Sequence, residues 1–356
     1  MKKQWGAVAL CAMLLVTGCS GGKKEAEPTE PDRQEEQQPE ETPEPEKDPY
    51  EGMAKNPLTG LYVEEAAAQK RPVAVMINNL HKALPQSGIG QADILYECLA
   101  EGDITRLVAV FQTLSGDKIG PVRSARDYYT YFALDNDAVY IHHGGSEGGY
   151  AAIRNRDLDD LDGMSDTTAF WRDKQRMNAP GMYEHSSYIS ADEVYQSCEN
   201  HGYRMTEEAG YEGMFTFRDE VTELPSGTAA STVKIHYSDY QVGEFYYQPE
   251  TGVYERWQSG SPQIDDQTGE TLTCTNILIQ MADMRVIDDA GRRDVDLVGS
   301  GTGYYITGGK CMAVTWKKAN YYTPTAWYGD DGNELTLNPG KTWVCVHATG
   351  GALTME

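Results

Sequence analysis

The chain has 356 residues, room for two domains with ordinary cores, and its 55 Asp and Glu against 30 Lys and Arg give a formal charge of −25. That balance argues against nucleic acid as a partner, because no basic surplus exists to neutralise phosphates. Seven cysteines without close spacing exclude a complete disulfide framework and show no zinc-ligand pattern.

Residues 1–18 read as a secretory signal: Lys2 and Lys3 precede an apolar core, Ala7 to Val16, too short to span a bilayer as a mature helix. It closes on Val16-Thr17-Gly18-Cys19, which resembles the lipobox of bacterial lipoproteins. That resemblance implies cleavage before Cys19 and lipid attachment there, which would place the protein on the outer face of the cytoplasmic membrane. No other apolar stretch is long enough to span. Residues 19–50 are rich in Glu, Pro and Gln with no aromatic before Tyr50, so burial cannot offset their ordering entropy and a disordered acidic tether is expected. Beyond Cys19, Cys98, Cys198, Cys274, Cys311 and Cys345 remain, and their spacing leaves their disulfide state open.

The fold class expected is α/β (α+β), with an N-terminal α/β domain over 51–222 and a β-rich C-terminal domain over 223–356. Pro72 to Ile77 is a clear strand, and Asn78-Asn79 stand at its end, where site residues of α/β folds collect. Ile94 to Cys98 and Ile104 to Gln112 are the next strands. Arg106 sits inside the latter, where a buried guanidinium must be paired. Ser124 and Asp127 form an S-x-x-D capping box that predicts a helix from Ala125. Arg123 and Arg126 then crowd the positive end of that helix, each disfavoured by roughly 0.3–1 kcal/mol. A carboxylate of the chain or an anionic ligand should offset them.

Ala138 to His143 is a fourth strand, Tyr150 to Arg156 a short helix, and Ser190 with Glu193 starts a helix that stops at Gly202. Alternating strands and helices predict an α/β sandwich with a mixed sheet. After about Val221, Tyr-rich alternating segments separated by turn residues predict mostly antiparallel β structure.

Gly144-Gly145-Ser146-Glu147-Gly148 fits the G-x-S-x-G pattern of a nucleophile elbow, yet the sequence singles out no His or acid as partner for Ser146. A tight turn, or a cradle whose glycine amides approach an anion, is the better reading. Gly340-Lys341-Thr342 mimics a phosphate loop, but Leu335 stands where the first Gly is required, so a strand start is expected. The acidic run Asp157 to Asp162 departs from a calcium loop at Leu161 and Thr168; no cofactor is implied beyond weak binding of a divalent cation. Phe170 to Arg176 forms a second basic cluster.

Several segments together resemble one bacterial family. They are Pro72 to Asn79, Gln86 to Gly88 with Gln91 to Asp93, Gly102 to Arg106, Ile119 to Arg126, His143 to Ser146, Phe170 to Arg172 and Pro339 to Trp343. On these motifs the chain is similar to the YerB-like lipoprotein family, domain of unknown function 3048, from Asn56 to about His347. The resemblance implies an N-terminal and a C-terminal family domain and no established activity. Pro180-Gly181-Met182 departs from the family's Pro-His-Asn, so no role of that His carries over. Locally, Thr105 to Tyr128 is similar to the core of LytR-type enzymes, whose arginines hold a pyrophosphate; Arg106, Arg123 and Arg126 are the counterparts.

The expectation is a membrane-anchored lipoprotein of open activity, with binding favoured over catalysis, that binds an anionic group such as a phosphate-bearing glycopolymer or lipid-linked precursor. Arg106, Arg123, Arg126, Asn78, Asn79, Gly144, Gly145, Ser146 and Arg172 form the expected site. A structural adaptor with its arginines locked in internal ion pairs is the alternative; a Ser146 hydrolase or LytR-like transferase ranks below both.

Overall fold

Val73–Asn78, Ile94–Leu99 and Thr105–Phe111 are almost unbroken apolar runs, and every position in them is buried. Such strands need cover on both faces, and this fold supplies it. The structure, a computed structural model, describes residues 49–356 apart from 209 and 212. The signal 1–18, Cys19 and the tether up to residue 48 lie outside the described residues. No helix among the described residues is long and apolar enough to cross a membrane.

The fold is α/β with a mixed sheet, as expected. Among the described residues the three strands sit in an eleven-stranded sheet that draws on both halves of the chain. Thr342–Ala348 lies at its middle, parallel to Asn276–Ala282 on one side and to Ile94–Leu99 on the other. The segments expected as two domains therefore meet in one continuous sheet. A six-stranded sheet built around Thr232–His236, Val242–Gln248 and Val253–Gln258 packs on one face.

Period-two alternation divides the core. Val73, Val75, Ile77, Leu95 and Ile277 point to the face covered by Phe245 and Ile235 of the smaller sheet and by Val194 and Cys198 of the helix Ala191–His201. Ala74, Met76, Tyr96 and Val344 point to the other face, under Tyr129, Phe132 and Ala133 of the helix Tyr129–Asp135. All five cysteines in the described residues are free and buried.

Glu97 and Arg256, both with fully buried side chains, join the two sheets through an ion pair of 2.7 Å. The guanidinium lies between the Phe245 and Trp343 rings, 4.9 and 4.8 Å from their centroids. The second carboxylate oxygen of Glu97 accepts from Asn79 at 3.1 Å and Thr105 at 2.8 Å. Every one of these groups is out of water, so removing one partner would strand a charge.

One helix start differs from the sequence reading. The helix expected from Ala125 begins at Tyr129, because both capping-box side chains are used elsewhere. Ser124 Oγ donates to the His143 carbonyl at 3.0 Å, and the Asp127 carboxylate pairs with Arg156 at 2.8 Å. Arg123 and Arg126 thus lie in the segment ahead of the helix, outside its first turn, where its dipole does not penalise them.

Candidate functional site

Val73–Asn78 and Val139–His142 are parallel neighbours, and the segment from Ile119 to Arg126 threads past their carboxyl ends. Asn78 N–H donates to the Pro121 carbonyl at 2.9 Å and Arg123 N–H to that of Met76 at 2.9 Å. On the other side His143 N–H donates to the Arg123 carbonyl at 3.0 Å, and Ala125 N–H to that of Gly144 at 2.9 Å. Crevices outside the carboxyl ends of parallel strands are where α/β folds place their ligands. Close approach is required here: a Cβ on Gly149 would lie 2.8 Å from the Ala125 carbonyl oxygen, and one on Gly163 would collide with the His143 ring.

The crevice is a cleft of about 350 Å³ lined by Arg123, Arg172 and Glu184, with His143, Tyr150 and Ser187 among its polar walls. Arg172 Nη2 donates to His143 Nε2 at 3.2 Å, and Nη1 donates to the Tyr183 carbonyl and Ser186 Oγ, both at 3.1 Å. Its guanidinium also stacks 4.2 Å from the Tyr183 ring centre. Among the described residues no carboxylate pairs with Arg172. Arg123 pairs with Glu184 at 2.8 Å, but the Glu184 side chain is 68% exposed.

A guanidinium has no acceptor, so His143 Nε2 must be the bare nitrogen and Nδ1 carries the proton. Nδ1 therefore donates to Ser187 Oγ, 2.7 Å away. That is the reverse of a nucleophile handing its proton to a base, so in this arrangement His143 does not act as a base toward Ser187. Burial, and then the Arg172 charge, hold the His143 pKa below its ordinary value, which keeps the ring neutral.

The other expected residues fall at different distances from this cleft. Gly144 and Gly145 line it, but the Gly144 amide already donates to the Asp162 carboxylate at 2.7 Å. Asp162 also accepts from Tyr150 at 2.9 Å and belongs to the edge strand Asp160–Asp162. Ser146 Oγ accepts from Gly149 N–H at 3.1 Å as the N-cap of the helix Glu147–Asn155, with no His among its partners. A cap explains the G-x-S-x-G match without a nucleophile. Lys341 precedes the strand Thr342–Ala348, as expected of a strand start.

Arg106 and Arg126 share one carboxylate. Glu101 accepts from Arg126 Nε and, at 2.8 Å, from Arg106 Nη2, while Arg106 Nη1 reaches the Ser124 carbonyl at 2.7 Å. Burial alone would raise the Glu101 pKa, but the Arg106 charge and the Arg126 hydrogen bond outweigh it and the carboxyl sits below its ordinary 4.5. Asn78 backs the cleft: its Oδ1 accepts from Leu80 N–H at 3.1 Å, which turns Nδ2 toward His185 Nδ1 at 2.7 Å. Asn79 faces away, inside the Glu97 network, where it donates to Thr105 and accepts from Gln86 and Gln263.

Sequence reasoning missed Glu184, Tyr183 and Ser187, and left His143 as part of a motif without a role. The last was within reach, since His143 directly precedes the Gly144-Gly145 turn. Nothing in the sequence ties Tyr183 and Glu184 to Arg172 and Arg123. Among the described residues no group of three or more His, Cys, Asp or Glu is placed to hold a metal ion.

Comparisons with known proteins cover most of this fold. The N-terminal domain model described as protein of unknown function DUF3048 matches residues 58–204, and the C-terminal domain model matches residues 233–344. YerB of Bacillus subtilis (strain 168), named as a candidate lipoprotein, is 34% identical over 297 residues, 82% of this chain and 86% of that one. The crystal structure of YerB from Bacillus subtilis superposes with a TM-score of 0.74 at 33% identity, covering 85% of this chain and 99% of that one. With both domain models matched in order and a relative alike over four-fifths of its length, the chain belongs to the YerB-like DUF3048 family.

Proposed function

We propose that this protein is a lipoprotein anchored through Cys19, whose folded body binds an anionic envelope ligand, phosphate- or pyrophosphate-bearing, in the Arg123–Arg172 cleft. The observation that carries this reading is Arg172, a guanidinium that lines a cleft with neutral partners only. Its neighbour Arg123 is held by an exposed carboxylate, the kind of pair worth only about 0–1 kcal/mol. Both can therefore offer planar pairs of donors to oxygens of an incoming phosphate. Arg106 and Arg126 support the cleft from behind, since Glu101 already answers them.

Calorimetric titration of the full-length chain in detergent with pyrophosphate tests this reading. The Arg123→Ala/Arg172→Ala variant should lose at least about tenfold in affinity, the scale of a charge-assisted hydrogen bond. Equal binding by both proteins would overturn it. The adaptor reading draws on a separate observation, the complete internal pairing of Arg106 and Arg126 by Glu101. It gains if no anion binds and a protein partner is lost when Tyr183 is substituted.

A further inference from the structure

We propose that Glu184 determines which anions the cleft accepts, as a built-in competitor for Arg123. This rests on the reading of the cleft as an anion site and adds a rule for the charge of its ligand. The short turn Tyr183–His185 lies over both guanidinium groups. The Tyr183 carbonyl accepts from Arg172 at 3.1 Å and the Glu184 carbonyl from Arg123 at 3.2 Å. The Glu184 carboxylate adds the contact of 2.8 Å to Arg123. Of these, the carboxylate is the piece free to leave. Its side chain is mostly in water, and rotating it out breaks no other hydrogen bond of that side chain.

The charges facing the cleft are few. Arg123, Arg172 and Glu184 line it, His143 is neutral, and Asp162 behind the wall is occupied by Gly144, Met164 and Tyr150. Deeper still, Glu101 sits between Arg106 and Arg126. With Glu184 on Arg123, the lining carries one net positive charge and suits a singly charged oxyanion on Arg172. With Glu184 turned to solvent, two guanidinium groups face the cleft and suit a multiply charged one such as pyrophosphate. The Arg123 hydrogen bond, and then its charge, hold the Glu184 pKa below its ordinary value, so the competitor is ionised at neutral pH. A multiply charged ligand must therefore displace a carboxylate, and a singly charged one need not.

The test titrates the full-length wild type, Glu184→Gln and Arg172→Ala with pyrophosphate and with dimethyl phosphate, a singly charged diester. Glu184→Gln keeps the shape of an exposed side chain and should leave the melting temperature unchanged. It should bind pyrophosphate about three- to tenfold tighter than wild type, with dimethyl phosphate changed less than twofold. Unchanged or weaker pyrophosphate binding by Glu184→Gln, with binding lost in Arg172→Ala, overturns the role of Glu184 and leaves the anion site standing. An equal gain for both probes overturns the charge rule. No binding of either probe by any of the three proteins overturns the anion site itself.

Discussion

At the junction of the two sheets Glu97 meets Arg256 with both side chains fully buried; at the cleft Arg123 meets Glu184 with 68% of the carboxylate side chain exposed. The chemistry is the same and the distances agree to within 0.1 Å, at 2.7 and 2.8 Å. What differs is the fate of the partner left behind. Arg256, packed between two aromatic rings, has no water to turn to, whereas Arg123 opens onto a cleft. A sealed pair is a fixture of the fold and an open pair is exchangeable. Glu101, with a side chain 22% exposed and two arginines to satisfy, lies between these extremes.

Substitutions at the three carboxylates grade that difference. Glu97→Ala should have the largest effect, about 3–5 kcal/mol of lost stability in urea denaturation, because it strands a buried guanidinium. Replacing both partners by apolar residues, Glu97→Leu with Arg256→Met, should recover most of it. A loss below about 1 kcal/mol for Glu97→Ala would erase the contrast on which the comparison rests.

Glu101→Gln should cost about 2 kcal/mol, since Arg106 and Arg126 would then face each other with no counter-charge. Its pH signature has a definite sign. The folded pKa of Glu101 lies below the ordinary 4.5, so its stabilisation is complete above that value and is lost as pH falls through the folded value. Wild type should therefore lose stability below about pH 4.5 more steeply than Glu101→Gln in acid-unfolding curves. Parallel curves would assign the two arginines another partner. The smallest effect is expected at Glu184→Ala, within about 0.5 kcal/mol of wild type. A larger loss would make that pair structural and weaken the case for exchange.

Much of the sheet was legible from residue pattern, because strands buried on both faces leave unbroken apolar runs such as Leu107 to Phe111. The helix Ala191–His201 starts after Ser190 and stops at Gly202, with φ of 71°, as read, although Ser190 makes no side-chain cap and its hydroxyl donates to the Asp117 carbonyl instead. The capping box at Ser124 misled because a local signal lost to tertiary bonds with His143 and Arg156. Nor could pattern alone reveal that Thr342–Ala348 pairs with Ile94–Leu99, since parallel partners so far apart carry no local mark. At the site, Arg123, Arg172, Gly144 and Gly145 were named from sequence and line one cleft. Asn79 had the same credentials as Asn78, yet one residue of strand alternation turns it into the sheet–sheet network. Glu184 left no trace, being an ordinary exposed glutamate until the fold sets it on Arg123.

Whether the Arg123–Arg172 cleft holds an anion is decided by a crystal structure of the protein grown with saturating pyrophosphate. The anion is expected between Arg172 and Arg123, with the Glu184 carboxylate turned to solvent. An empty cleft with the Arg123–Glu184 pair intact, or pyrophosphate ordered only elsewhere on the protein, would contradict it.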